Sequence, residues 1–156
     1  METRIVSIGE LNQNLRPYHP RAALMILMTG DRLSCCDEAI AAFEDKTFLG
    51  AATIAPFGEQ RNPLVENAAR QLGEPTAPAE PTLVELWVVP EHRGRGIGLT
   101  LLSATIRRMV ERGLTPIRVD VLSGRFRRLL SCLPEDLRSQ LVVHEPGFDS
   151  DVMLDI

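Results

Sequence analysis

The sequence predicts a mixed α/β fold, a central, partly antiparallel β-sheet flanked by helices, and three observations carry that expectation. Thr82–Val89 is apolar on both faces, as a strand covered on both sides must be. A glycine-rich loop and a helix-periodic stretch follow it and lead into a second apolar run at Ile117–Leu122. Earlier, Glu38–Phe43 and Thr47–Ala55 flank a short turn at Glu44–Lys46, as the arms of an antiparallel hairpin do. Strand, helix and strand with short joints imply a right-handed crossover and a parallel pair, so the sheet is mixed.

The other elements follow in order. Arg4–Ile8 is expected as a first short strand, and Asn14–Pro20 as a loop interrupted by Pro17 and Pro20. Arg21–Met28 is an apolar helix between Pro20 and Gly30. After the hairpin, Asn62 can cap a helix with Pro63 at its first position, running through Leu72 to a stop at Gly73. The three prolines of residues 74–81 forbid helix or interior strand there, leaving a semi-rigid connector. Pro90 ends the central strand. The helix from Ile97 to Arg112 buries a stripe of Leu99, Leu102, Ile106 and Met109 and stops at Gly113. Ser123 caps a short helix over Gly124–Cys132, Pro134–Leu141 adds another helical turn, and Leu141–His144 and Val152–Ile156 close the sheet.

A length of 156 residues matches one domain spanning 1–156, because domains run to roughly 100–200 residues. Too little chain lies on either side of residues 56–81 for two cores, so that segment reads as an insertion between strands. Apolar residues at 44% exclude a disordered chain, and no apolar run approaches a membrane span. The N-terminus lacks the charged and apolar regions of a secretory signal, so a cytoplasmic protein is expected. Cys35, Cys36 and Cys132 are odd in number, form no C-x-x-C and have no histidine at zinc spacing; reduced thiols and no metal are expected.

Charge is uneven along the chain. Residues 31–91 hold eleven acids against four bases, a net of −7; residues 92–140 hold ten arginines against four acids, a net of +6. The second part could hold an anion and the first attract a cation, if the asymmetry survives folding. Nucleic-acid binding through Arg107, Arg108, Arg112, Arg125, Arg127 and Arg128 is disfavoured, because aromatics are only 4% and none interleave the arginines for stacking.

The chemistry concentrates in Pro90-Glu91-His92-Arg93-Gly94-Arg95-Gly96-Ile97-Gly98, between a buried strand and an amphipathic helix. Glycines let several backbone N–H groups converge, and the following helix adds its free N–H groups and positive end. Such a loop cradles phosphate oxygens, and Arg93 and Arg95 can add charge-assisted bonds. It is not a P-loop, which needs Gly-Lys-Ser or Gly-Lys-Thr. Nor is it a G-x-G-x-x-G fingerprint: counting from Gly94 or Gly96, the last glycine is Leu99 or Leu101. His92 reads as a rim residue; His19 and His144 are isolated.

What the loop does match is Arg-x-x-Gly-x-Gly, as Arg93, Gly96 and Gly98, preceded by Leu86-Trp87-Val88-Val89-Pro90-Glu91. Over Leu83–Leu122 the sequence resembles the GCN5-related N-acetyltransferase (GNAT) superfamily. The resemblance implies an acyltransferase that moves acetyl from acetyl-CoA to a primary amine, a small cationic amine or a peptide, by direct transfer in a ternary complex. The backbone of Arg93, Gly94, Arg95, Gly96, Ile97, Gly98 and Leu99 would bind the pyrophosphate. The strand before the loop would splay from its parallel neighbour and pair with the pantetheine arm through Leu86, Trp87 and Val88. A backbone N–H near Val88 would polarise the thioester carbonyl. Glu85, the lone acid of an apolar strand, is the candidate base, acting through a water; burial raises a carboxylate's pKa toward the working range. Ser123 could touch CoA while capping its helix.

Two departures from the family matter. The family often carries Asn-x-x-Ala-x-x-Leu-Tyr on the helix after the next strand, its tyrosine protonating the leaving thiolate. Here the stretch is Ser123-x-x-Phe126-x-x-Leu129-Leu130, with leucine in the tyrosine's place and Tyr18 the only tyrosine of the chain. That leaves room for a non-catalytic CoA-binding regulatory module of the same fold. Residues 56–81 are also longer than the family's usual joint and could shape acceptor choice or make a homodimer contact.

Overall fold

The apolar runs assemble into one six-stranded sheet in a computed structural model of the chain; the structure describes residues 1–18, 36–58, 71–73, 80–121 and 123–145. The strands β1 (Glu2–Val6), β2 (Glu38–Glu44), β3 (Thr47–Ala55), β4 (Thr82–Val88), β5 (Ile117–Asp120) and β6 (Leu141–His144) neighbour one another in chain order. Each of the first four runs antiparallel to its neighbour, while β4–β5 and β5–β6 are parallel. Helices α1 (Ile8–Leu15), α2 (Ile97–Glu111), α3 (Gly124–Ser131) and α4 (Glu135–Arg138) flank the sheet. The mixed central sheet flanked by helices is therefore the fold of this chain.

The N-terminal segment differs from its sequence expectation. β1 begins at Glu2 and ends at Val6, so Ile8 belongs to a helix, and Asn14 and Leu15, expected in a loop, close that helix. The cause is a cap: the Ser7 hydroxyl accepts the Glu10 N–H at 3.1 Å. It ends the strand and satisfies one of the free donors of the first helical turn. Leu11 and Leu15, one turn apart, are then both fully buried. The expected helix at 21–28, residues 19–20, most of 62–72, the connector at 74–79, Cys35 and the strand at 152–156 lie outside the described residues. Gly73, the expected stop, has a left-handed φ of 72°.

Each face of the sheet carries its own core. On one face, α1 packs Leu11 and Leu15 against Ala39, Ala41, Phe43, Phe48 and Ala51; the alanines of β2 and β3 let the helix lie close. On the other, Leu102, Ile106 and Met109 of α2 meet Ile54, Leu83, Ile117 and Val119, with Leu130 of α3 and Leu137 of α4 completing the layer. Full burial of such a side chain contributes about 1.5–3 kcal/mol. Leu99, the first member of the expected stripe, is only half-buried. Cys36 is buried and Cys132 exposed, and neither forms a disulfide.

Gly50 sets how closely β3 approaches the central strand. A Cβ there would lie 2.5 Å from the Trp87 carbonyl oxygen and 3.0 Å from Val88 Cα, both backbone atoms that cannot rotate away. Gly50→Ala should therefore destabilise the fold by about 1–3 kcal/mol, as overpacking does. Urea unfolding reads this directly; a variant as stable as the parent would mean that β3 yields without cost.

Part of the charge asymmetry of the sequence closes on itself. Acids from the first part take arginines from the second: Glu38 binds Arg108 at 2.8 Å and Arg112 at 3.1 Å, Asp37 also binds Arg112, and Glu44 binds Arg95 at 2.6 Å. The pairs of Asp37 and Glu38 tie the C-terminal half of α2 to the start of β2. They withdraw Arg108 and Arg112 from any nucleic-acid surface and Glu38 from any cation-attracting one.

Candidate acyl-donor site

β4 and β5 meet at one point and then part. Their only ladder pair among the described residues is Thr82 with Arg118, reinforced by the Arg118 N–H bonded to the Pro81 carbonyl at 2.8 Å. Past it, no strand among the described residues pairs with that edge of β4. The direction of its backbone groups follows from one bond. The Val89 N–H donates to the Leu49 carbonyl at 2.8 Å, so it points toward β3. Alternation along a strand then turns the Leu86 and Val88 N–H groups the other way, into the gap. The Val88 carbonyl, on the same side, accepts from Arg93 Nε at 3.0 Å.

A bulge sets the faces of β4. Ala52 pairs with Leu86 and Ile54 with Leu83, so Thr53 alone opposes Val84 and Glu85. The extra residue's N–H would be orphaned in a regular ladder; here the Glu85 N–H donates to the buried Thr53 hydroxyl at 3.1 Å. The bulge shifts the phase of the strand, as bulges beside functional sites commonly do. Leu83 and Leu86 both pack toward α2, whereas Val84 and Trp87 pack toward the α1 face. Beyond the bulge the pairing is regular, so alternation puts half-buried Glu85 on the same face as Trp87.

The loop after β4 closes the gap. Pro90–His92 form a short 3-10 turn, and Gly94 and Gly96 follow with φ of 79° and 80°. A side chain at either would be strained, although nothing crowds the space beside them. Gly96 is the N-cap of α2, and its carbonyl already accepts the Thr100 N–H, leaving the N–H groups of the first turn directed outward. Gly98 sits 3.5 Å from Leu129 when given a Cβ, so α2 and α3 nearly touch there.

These elements line an open cavity of about 450 Å³, within the ordinary range for small-ligand sites. Of the residues singled out by the sequence, Leu86, Trp87, Val88, Arg93, Gly94, Gly96, Ile97, Gly98, Leu99 and Ser123 all line it, and His92 forms part of its rim. Two do not. Glu85 lies one residue before the lining stretch, on the opposite face of β4 from Leu86. The Arg95 guanidinium, expected to add charge-assisted bonds, pairs with Glu44 and His92 Nδ1, the latter at 3.1 Å, and Arg95 is not part of the lining. Ser123 caps α3 by accepting the Phe126 N–H at 3.1 Å, a bond worth about 1 kcal/mol.

The third wall was not anticipated. α3 presents Arg125, Phe126 and Leu129 to the cavity. The signal was there: Ser123, Phe126 and Leu129 recur every three residues, on one face of a helix that the sequence places after β5. Leu130, in the position where the family often has tyrosine, is buried at 6% exposure in the core beneath. Arg93 and Arg125 line the same cavity, and partial burial, followed by the Arg125 charge, pulls the Arg93 pKa down. A larger, open groove of about 750 Å³ lies between β1 and the outer side of α2. Arg108 and Glu111 within it are already ion-paired, and it has no comparable cluster of backbone donors.

Among the described residues no helix is long and apolar enough to cross a membrane, and no cluster of histidine, cysteine and carboxylates is arranged to hold a metal. The model of the acetyltransferase (GNAT) family matches residues 10–128. Among solved structures, a ribosomal-protein-alanine N-acetyltransferase from Brucella melitensis biovar Abortus 2308 is similar at 14% identity and a TM-score of 0.50, over 96% of this chain and 83% of that one. A GNAT family acetyltransferase from Brucella melitensis, in complex with acetyl-CoA, is similar at 19% identity and a TM-score of 0.45, over 81% and 80% of the two chains. At such identity the first likeness speaks to the fold alone. No curated protein matches the sequence.

Proposed function

The chain belongs to the GNAT acetyltransferase family, and from that premise we propose that it is an N-acetyltransferase carrying acetyl from acetyl-CoA to a primary amine. The observation that carries this reading is the splayed strand pair. A β4 edge with Leu86 and Val88 N–H groups turned into a cavity closed by a glycine loop suits an extended, amide-bearing arm ending in phosphates.

In this reading the loop from Arg93 to Leu99 and the first turn of α2 hold the pyrophosphate, and β4 pairs with the pantetheine amides as a missing strand would. That seats the thioester near Val88. Its N–H, fixed in direction by the Val89–Leu49 bond, donates to the carbonyl oxygen as negative charge grows there. The amine nitrogen attacks the carbonyl carbon, the C–S bond breaks, and the thiolate leaves. The proton lost by the amine passes through a water to Glu85, which approaches from the other face of β4. No hydroxyl stands in the tyrosine position, so the thiolate departs without a dedicated acid. A thiol pKa near about 8.5 makes that tolerable.

The buried Leu130 also favours a second reading, a regulatory module that binds CoA without turnover. Titration of acetyl-CoA by calorimetry, followed by a screen of small cationic and peptide amines for thiol release, separates the two. Binding with amine-dependent release supports the enzyme. Binding with no release from any amine supports the module, and no binding by folded protein overturns both.

A further inference from the structure

Most arginines around this site are already committed. Arg95 pairs with Glu44, Arg127 with Glu145, and Arg118 with Asp120. Arg93 and Arg125 are different. Both line the donor cavity, one from the loop and one from the first turn of α3, and neither is paired with a carboxylate among the described residues. Arg93 spends its Nε on the Val88 carbonyl, which fixes the plane of its guanidinium and leaves the terminal nitrogens available. Two like charges brought together without a counter-ion repel, and that repulsion adds to burial in lowering the Arg93 pKa. An arrangement of that cost is relieved when an anion sits between the two groups.

Charge identifies the anion. The neutral N–H groups of the glycine loop and of the α2 N-terminus suit a pyrophosphate diester, whose phosphates carry one negative charge each. With the pyrophosphate held by those amides, two further positive charges are left for a second, separate anion, and a phosphate monoester, with a charge of about −1.5 to −2 at neutral pH, suits them. Acetyl-CoA has one such group, the 3′-phosphate on its ribose. We propose that Arg125, with Arg93, forms a clamp for the terminal phosphate monoester of the donor and so makes the protein select CoA over its dephosphorylated form. The inference rests on the donor reading above and adds a specificity-determining residue to it.

The test is a cycle of two ligands and two proteins: CoA and dephospho-CoA titrated by calorimetry into the parent chain and Arg125→Gln. Arg125 is exposed and makes no core contact, so the variant should fold as the parent does, which a thermal melt verifies. The parent should prefer CoA by about tenfold to a hundredfold, the range for a charged hydrogen bond. Arg125→Gln should lose most of that preference by weakening CoA alone, and Arg125→Lys should recover part of it. A parent that binds both ligands equally, or a variant that weakens both equally, overturns the clamp while leaving the donor reading intact. A parent that binds neither overturns the donor reading and the clamp with it.

Discussion

Gly96→Asp should abolish measurable acetyl-CoA binding while leaving the fold intact. The residue has φ of 80°, and a Cβ placed on it would meet nothing within 4 Å, so a larger side chain brings strain but no clash. Aspartate is among the few residues that tolerate the left-handed region, and the strain costs about 1–2 kcal/mol at most. The added carboxylate, however, stands at the N-terminus of α2, where the pyrophosphate would sit. At about 4 Å and an effective dielectric near 20, one pair of like charges costs about 4 kcal/mol. That is a loss of several hundredfold, beyond the strain. Gly96→Asn separates the two effects, since it carries the same shape and the same strain without the charge. Calorimetry should find weakened binding in the asparagine variant and none in the aspartate variant, with similar melting temperatures. Parent-like binding by Gly96→Asp would reduce the loop to a strand-to-helix turn.

The elements that sequence reasoning placed well are those fixed by local signals. The hairpin of β2 and β3 has clear apolar arms and a tight turn, and its boundaries agree with expectation to within a residue. The helix from Ile97 ends at Glu111 with Arg112 as its cap and Gly113 at a φ of 73°, as a glycine stop requires. The loop was legible because its glycines are needed for backbone reasons, and two of them have the positive φ that only glycine adopts easily.

What escaped was decided elsewhere. α1 has the signature Ser7-x-x-Glu10 and apolar residues at Ile8, Leu11 and Leu15, but Ile8 also extends the run of a strand from Arg4, and Pro17 and Pro20 speak for a loop from Asn14. Packing of Leu11 and Leu15 on the alanines of β2 and β3 settled the contest. The fate of the arginines was equally non-local. Arg95 and Arg93 are two residues apart and look interchangeable in sequence. One is drawn to Glu44 at the far end of β2, the other is fixed by Val88. The bulge that turns Glu85 away from Leu86 depends on Thr53, thirty-two residues earlier, and no pattern within β4 announces it.

That bulge makes the second large prediction unusually clean. Glu85→Gln should lower turnover by about a hundredfold to ten-thousandfold, the range for loss of a general base, with acetyl-CoA affinity unchanged. The separation follows from geometry. The cavity is lined by Leu86, Trp87 and Val88, whereas Glu85 lies outside that lining, on the opposite face of β4 from Leu86. The bond from its N–H to Thr53 is made by the backbone and survives the substitution. Glutamine keeps the volume and polarity of the side chain but loses its charge and its ability to take a proton. The pH profile supplies an independent readout. A carboxylate base works only when ionised, so the parent rate should fall as the solution is acidified through the pKa of that group. In Glu85→Gln that acid limb should vanish, leaving the limb set by protonation of the amine substrate itself. A merely structural carboxylate would change stability and move both limbs little. Unchanged turnover in Glu85→Gln would remove Glu85 from the mechanism, and the base would then be sought among groups facing Trp87 on the same side of the sheet.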